Sequence, residues 1–221
     1  MTIQLFIGLF TEGTTDQAFL KSIVEKGFIK IGMECHTDLE IFIHELKIEK
    51  TGLGFSEQVM KASKIGVDEF GISVLCVHTD SDDPDDIRAF EKISDALYNL
   101  SKTGDSHCKL VTPIVPVQMI EAWMLADKDL LRKEIGTDKS DNDLNINRNP
   151  EMIPNPKIII ENAIRIARED FSKRRRRDLT ISELYQPIGQ KIDLEKLEIL
   201  PSFRKFIEAV RETYRSLNYL V

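Results

Sequence analysis

The sequence predicts an α/β protein: a parallel sheet flanked by helices, with a mostly helical C-terminal region. Short apolar, β-branched runs alternate with stretches of helical period through residues 1–135, and strands that alternate with helices pair in parallel. Beyond a polar loop only the helical period persists. Acidic residues follow directly on two of the apolar runs, at the strand ends where a parallel sheet gathers its ligand sites.

Residues 3–9 read as a first buried strand, and a Gly/Thr turn leads into an amphipathic helix with Phe19, Leu20, Ile23, Val24 and Phe28 near helical spacing. Residues 39–48 are apolar and β-branched enough for a second strand, and residues 56–70 form a second helix with Ser56 as N-cap. Residues 72–78 form a third strand that runs into the acidic loop DSDDPDD at residues 80–86. Residues 86–100 are helical by pattern. Residues 109–117 give a fourth strand, and Pro113, which cannot donate to a ladder, suits a sheet edge or a strand end.

Residues 120–135 are again helical, residues 136–156 form a long loop rich in Asp, Asn and Pro, and the remainder is mostly helix. The last helix opens at Pro201, Ser202 and Phe203 and sets Phe203, Phe206, Ile207, Val210, Tyr214 and Leu217 along one side, a stripe for the core. The chain thus divides into an α/β unit over residues 1–135 and a polar loop with helices over residues 136–221 packed on it. It carries no internal repeat.

With 221 residues and 42% hydrophobic content the chain can bury a core without staples. Cys35, Cys76 and Cys108 are odd in number and form no CxxC pair, so they read as reduced thiols. The apolar run at residues 3–10 has no basic residues before it and is cut short by Thr11, Glu12 and Gly13, unlike a secretory leader. No run approaches the roughly 20 apolar residues of a spanning helix. A soluble, cytoplasmic protein without a membrane partner is expected. The formal charge of −7 argues against a wholly basic, nucleic-acid-binding surface, but Lys173, Arg174, Arg175, Arg176 and Arg177 form a compact basic run. That run is either a phosphate-contacting patch or a solvated helix end.

Glu12 and Asp16 follow the first strand, and Asp80 and Asp82 follow the third. Two apart in an extended segment, Asp80 and Asp82 can project to one side, and they meet Glu12 if the first and third strands are neighbours. Two carboxylates about 5 Å apart repel by roughly 3 kcal/mol at an effective dielectric near 20, so such a cluster protonates, splays or binds a cation. Mg²⁺ or Mn²⁺ suits carboxylate and water ligands. The plainer alternative is that the acids cap the following helix, a role that fits Asp83, Asp85 and Asp86 best. The first loop also nearly spaces a phosphate cradle from Gly8 to Gly13, but Thr14 stands where that motif needs lysine, and Glu12 repels phosphate.

Glu12-Gly13-Thr14-Thr15-Asp16 after a first strand, with Asp80-Ser81-Asp82 after a later one, resembles the Toprim domain of topoisomerases, bacterial primases and overcoming-lysogenization-defect nucleases. This likeness covers about the first half of the chain. The stretch from Val115 to Asp127, with its EAWxLAD core, together with Asn155-Pro156-Lys157 and Pro201-Ser202-Phe203, is similar to a bacterial Toprim-like family of uncharacterised activity, over nearly the whole length.

The resemblance implies a Toprim-like sheet and Mg²⁺- or Mn²⁺-assisted phosphodiester chemistry. Glu12 would be metal ligand or general acid/base, and Asp80 and Asp82 ligands. Asp16 matches the acid that follows the glutamate in the nucleases. Those enzymes use a further acid and a lysine, for which Glu121 and Lys157 are the candidates by type; Glu121 reads equally as a helix-cap acid.

Weaker signals have plainer readings. The alternating oxygen ligands from Asp141 to Asn147 suggest a calcium loop, but Ile146 replaces its glycine and Met152 its terminal glutamate, which leaves a polar loop. His36, His44, His78 and His107 lack metal-ligand spacing and are expected to be structural or exposed. Trp123 and Met124 are expected to pack a helix on the sheet.

The expected function is therefore metal-dependent phosphodiester cleavage by a nuclease of bacterial defence or DNA processing, with nucleic acid as partner. The non-enzymatic alternative is an accessory module that binds metal, nucleic acid or a partner ATPase. A homo-oligomer is compatible with either. A phosphotransferase acting on small molecules would need a nucleotide pocket for which the sequence has no motif.

Overall fold

The structure is a computed structural model and describes residues 2–169 and 179–221. The basic run at residues 173–177 lies outside the described residues.

The strands β1 (Ile3–Phe10), β2 (Leu39–Glu45), β3 (Val74–His78) and β4 (Val111–Ile114) form one all-parallel sheet in the order β2-β1-β3-β4. Both central strands are apolar on both faces, as a sheet covered by helices on each side requires. Leu5, Ile7 and Leu9 of β1, with Val74 and Cys76 of β3, point into one core, whereas Phe10, Leu75 and Val77 belong to the other. Pro113 faces Val77 on β4, an edge strand, where its missing N–H costs no ladder bond on the open side.

The first core is covered by α1 (Thr14–Gly32), whose Phe19, Leu20, Ile23, Val24 and Phe28 are all buried at the spacing the sequence indicates. The same core receives α4 (Ile120–Met124), α5 (Lys128–Ile135), α6 (Pro156–Ala167), α7 (Tyr185–Lys191), α8 (Leu194–Leu197) and α9 (Pro201–Ser216). Phe203, Phe206, Ile207, Val210 and Tyr214 of α9 are buried there, and Leu217 packs against them. The second core lies under α2 (Phe55–Phe70) and α3 (Ile87–Ser101). Among the described residues no helix is long and apolar enough to cross a membrane.

Four local expectations are corrected. The second helix starts at Phe55, not Ser56; Gly54 is its N-cap, and its N–H donates to Glu57 Oε2 at 2.7 Å. The second strand ends at Glu45, after which the chain leaves the sheet and returns Lys50 to the end of β1. The helix expected over residues 120–135 is two helices, because Asp127 Oδ1 accepts from Leu130 N at 3.0 Å and starts a new one. The loop over residues 136–156 is polar only on its outside, for Leu144, Ile146 and Ile153 are buried in the main core. All three cysteines are free; Cys76 and Cys108 are buried and Cys35 half-buried.

Candidate functional site

With β2 on one side of β1 and β3 on the other, the chain reverses its winding between β1 and β3. The loops leaving those two strands lead to α1 and α3 on opposite faces of the sheet, and the carboxyl ends of strands at such a reversal are the usual ligand position. Phe10 lies opposite Val77, so Glu12 and Thr79 emerge side by side. The Thr79 hydroxyl donates to Glu12 Oε1.

Two lysines converge on that turn. Lys50 Nζ donates to the backbone carbonyls of Thr11 and Glu12 at 2.7 and 2.6 Å and fixes the turn itself. Lys92 Nζ, from α3, donates to Glu12 Oε1 at 2.6 Å and to Thr79 Oγ1 at 3.0 Å. Burial alone would raise the Glu12 pKa, but the hydrogen bonds from Lys92 and Thr79 outweigh it and hold the carboxyl below its usual range.

Asp16 lies in the first turn of α1, where its Oδ2 accepts from Gly13 N at 2.7 Å. It also faces His78, the last residue of β3 and fully buried. Nε2 of His78 stands 3.2 Å from Asp80 Oδ1, and Nδ1 stands 3.9 Å from Asp16 Oδ2 with no hydrogen-bond partner. Burial pulls the His78 pKa down, but Asp80, then Asp16 and Glu12, together pull it above its ordinary value. His78 is thus a structural histidine that lies between two of the candidate carboxylates.

Asp80 Oδ1 also accepts from Ile120 N at 3.0 Å, which ties the end of β3 to the start of α4. The segment past Asp80 is not extended. Asp82 has φ 54 and Gln118 φ 62, a left-handed conformation uncommon for side chains of this size. Mutual bonds hold the pair there: Asp82 N donates to Gln118 O at 2.8 Å, and Gln118 N donates to Ser81 Oγ at 2.8 Å. Simple alternation thus does not aim Asp82. Its pKa is nevertheless raised, first by partial burial and then by repulsion from Asp80 and Glu12.

The capping expectations divide. Asp85 Oδ1 accepts from Ile87 N at 3.1 Å, while Asp86, at the N-cap position of α3, makes no side-chain cap bond and pairs with Lys205 at 2.5 Å. Asp83 pairs with Arg88 at 3.4 Å.

Glu121 opens α4, is buried, and accepts a hydrogen bond from the Tyr185 hydroxyl. Burial raises its pKa, repulsion from Asp80 adds to the rise, and Lys157, exposed at the start of α6, draws it down. The Tyr185 phenol, pushed up by burial, feels Glu121, Asp16 and Asp80 together. Glu12, Asp16, Asp80, Asp82 and Glu121 therefore lie within electrostatic reach of one another through shared neighbours, with Lys157 at the Glu121 end. Among the described residues no three His, Cys, Asp or Glu side chains already form a metal-holding group. The polar lining that sequence reasoning missed is His78, Thr79, Lys92 and Tyr185.

Fold and site together define a parallel-sheet α/β protein with an acidic, lysine-flanked group of side chains at the point where its strand order reverses. The chain belongs to the family described as Domain of unknown function (DUF4276), whose model matches residues 11–211 and so spans the whole group. No curated protein and no solved structure matches the chain.

Proposed function

We propose that the chain is a Mg²⁺- or Mn²⁺-dependent phosphodiesterase of Toprim-like type, a nuclease acting in the cytoplasm in bacterial defence or DNA processing. The observation that carries this reading is the gathering of Glu12, Asp16, Asp80 and Asp82 at the ends of β1 and β3, with mutual repulsion already expressed in the raised pKa of Asp82. A hard divalent cation relieves such repulsion. The donor set is all carboxylate, which suits Mg²⁺ or Mn²⁺ better than zinc. The buried, unpartnered Nδ1 of His78 between Asp16 and Asp80 offers a hydrogen bond to a bound water.

Bound there, a divalent cation would polarise a phosphoryl oxygen and favour a nucleophilic water. Glu12, Asp80 and Asp82 would hold it, with Asp16 and Glu121 as the further acids. Glu12, kept ionised by the hydrogen bonds from Lys92 and Thr79, offers a full negative charge to such a cation. His78 fixes the direction of Asp80. Lys157 supplies positive charge for an anionic substrate at the Glu121 end. Lys173, Arg174, Arg175, Arg176 and Arg177 are proposed for phosphate contact on their sequence alone.

One observation favours the accessory-module reading: Glu12 is already paired with Lys92, and among the described residues no ready three-ligand group exists. Such a module would bind metal, nucleic acid or a partner ATPase, as a monomer or homo-oligomer, and cut nothing. The test is incubation with mixed DNA and RNA substrates in Mg²⁺ and in Mn²⁺, wild type beside a Glu12→Gln, Asp80→Asn double variant. Cleavage by the wild type alone supports the enzyme. Metal or nucleic-acid binding without cleavage by either protein selects the accessory module.

A further inference from the structure

Both lysines at the Glu12 turn are held, but by different atoms. Lys50 bonds to backbone carbonyls, so the Glu12 carboxylate can change partners without disturbing it. Lys92 bonds to the carboxylate itself, at Oε1, and to the Thr79 hydroxyl that donates to the same oxygen. In that same position its ammonium also lies 4.2 Å from the centre of the Phe55 ring, a favourable contact for a cation. Both members of the Lys92–Glu12 pair are about half exposed, and a lysine head moves freely on its four-carbon stem.

We propose that Lys92 is a resident cation that stands in for the divalent ion at Glu12 and is displaced from the carboxylate when metal binds. This rests on the metal-site reading above. A carboxylate oxygen that already accepts from an ammonium and a hydroxyl is a poor ligand for a third positive partner, and an ammonium left beside the ion would repel it. Among the described residues no lysine is bonded to the other two carboxylates: Asp80 Oδ1 is held by the His78 ring and the Ile120 N–H, and Lys92 acts on Asp82 only through space. Of these three acids Glu12 is thus the one bonded to a lysine.

The experiment is Mn²⁺ titration calorimetry on the full chain for wild type, Lys92→Met and Lys92→Arg, each first checked for folding by a melting curve. Methionine keeps an apolar stem over Phe55 and removes the charge; arginine keeps the charge. Lys92→Met is expected to bind Mn²⁺ about tenfold more tightly than wild type, the effect of removing one competing nearby charge, and Lys92→Arg to bind about as wild type does. Binding by Lys92→Met with none by wild type supports the proposal in its strongest form. If wild type binds and Lys92→Met binds equally or more weakly, the resident-cation role is overturned while the metal site stands. The role is also overturned if both variants tighten alike, since charge is then not the cause. If none of the three binds Mn²⁺, the metal reading fails and takes this inference with it.

Discussion

His78 Nε2 lies 3.2 Å from Asp80 Oδ1, inside a core that leaves the histidine no solvent contact, while its Nδ1 faces Asp16 without a hydrogen bond. A buried imidazole between two carboxylates is a charge bridge. It stabilises the fold when protonated and leaves the acids to repel when neutral.

This bridge predicts a pH-dependent cost for His78→Leu. The His78 pKa is raised above its ordinary 6.5 in the folded protein, so its stabilisation is fully present below about 6.5 and is lost as pH rises through the raised value. Asp80, itself only partly buried, loses this partner in the variant and keeps the bond from Ile120 N. Urea unfolding at about pH 6 and about pH 9 should give a large deficit for His78→Leu at the lower pH and a small one at the higher. A deficit that does not shrink with pH would show that the neutral ring, by packing, does the work.

The acidic group predicts stabilisation by metal. Mn²⁺ at about 100 times its dissociation constant should add about 2.7 kcal/mol, a rise of several degrees in Tm. Asp80→Asn keeps an oxygen to accept from Ile120 N and removes the charge; its apo form loses the pairing with His78 and gains relief of the repulsion on Asp82, and it should not respond to Mn²⁺. An unchanged metal shift in Asp80→Asn removes this residue from the site.

For Glu12→Gln the exposed pairing with Lys92 sets the stability change. A pair this solvated contributes under about 1 kcal/mol, and its loss is offset by relief of the repulsion from Asp82. The fold should therefore persist nearly unchanged, while Mn²⁺-dependent cleavage falls by orders of magnitude. Melting curve and cleavage assay belong on one preparation. A variant melting several degrees lower would mark Glu12 as structural, and full cleavage by a stable variant would remove it from the chemistry.

The acids Glu12, Asp16, Asp80 and Asp82 were legible because each is a local signal, a carboxylate in a turn after an apolar run. The core stripes from Phe19 to Phe28 and from Phe203 to Tyr214 were legible for the same reason, since helical spacing is local. What surrounds the acids was not, because distant chain supplies it. Lys92 reaches Glu12 across 80 residues and Tyr185 reaches Glu121 across 64, and in sequence each is an unremarked helix residue. The left-handed turn at Asp82 depends on Gln118, and nothing in the DSD triplet announces it. Ser56 misled for a simpler reason: Gly54 with Glu57 caps the helix two residues earlier.

Close approach of α7 to α1 gives a prediction away from the charges. A Cβ added at Gly189 would stand 2.2 Å from the backbone oxygen of Phe19, which no rotamer change can relieve. Alanine in place of glycine within a helix gains about 1 kcal/mol of propensity, so the sign depends on the clash. Backbone shifts forced by overpacking cost about 1–3 kcal/mol beyond that gain, and the helix that moves carries Tyr185. Gly189→Ala should lower Tm and weaken the tie to Glu121; a higher Tm would mean that the two helices can separate freely.

Glu121 gives the clearest test of whether the inner acid is a liability of the fold. It is buried, accepts from Tyr185, and its pKa is raised above the ordinary 4.5 by burial first and by Asp80 second, with Lys157 acting the other way. An acid whose folded pKa is raised takes up a proton on folding, so stability falls as pH climbs from 4.5 through the raised value and stays lowered above it. Glu121→Gln keeps an oxygen to accept from Tyr185 and cannot ionise, so it lacks this loss. Melting curves from about pH 4.5 to about pH 8 should nearly coincide at the acid end and separate with rising pH, the variant the more stable at neutral pH. The Tyr185 bond favours the ionised form without offsetting the burial, so a group kept for folding alone has little reason to carry that cost. A variant more stable at neutral pH but with a smaller Mn²⁺ shift than wild type would therefore assign Glu121 to the metal site. A variant less stable at every pH would instead make it a structural anion matched to Lys157 and Tyr185.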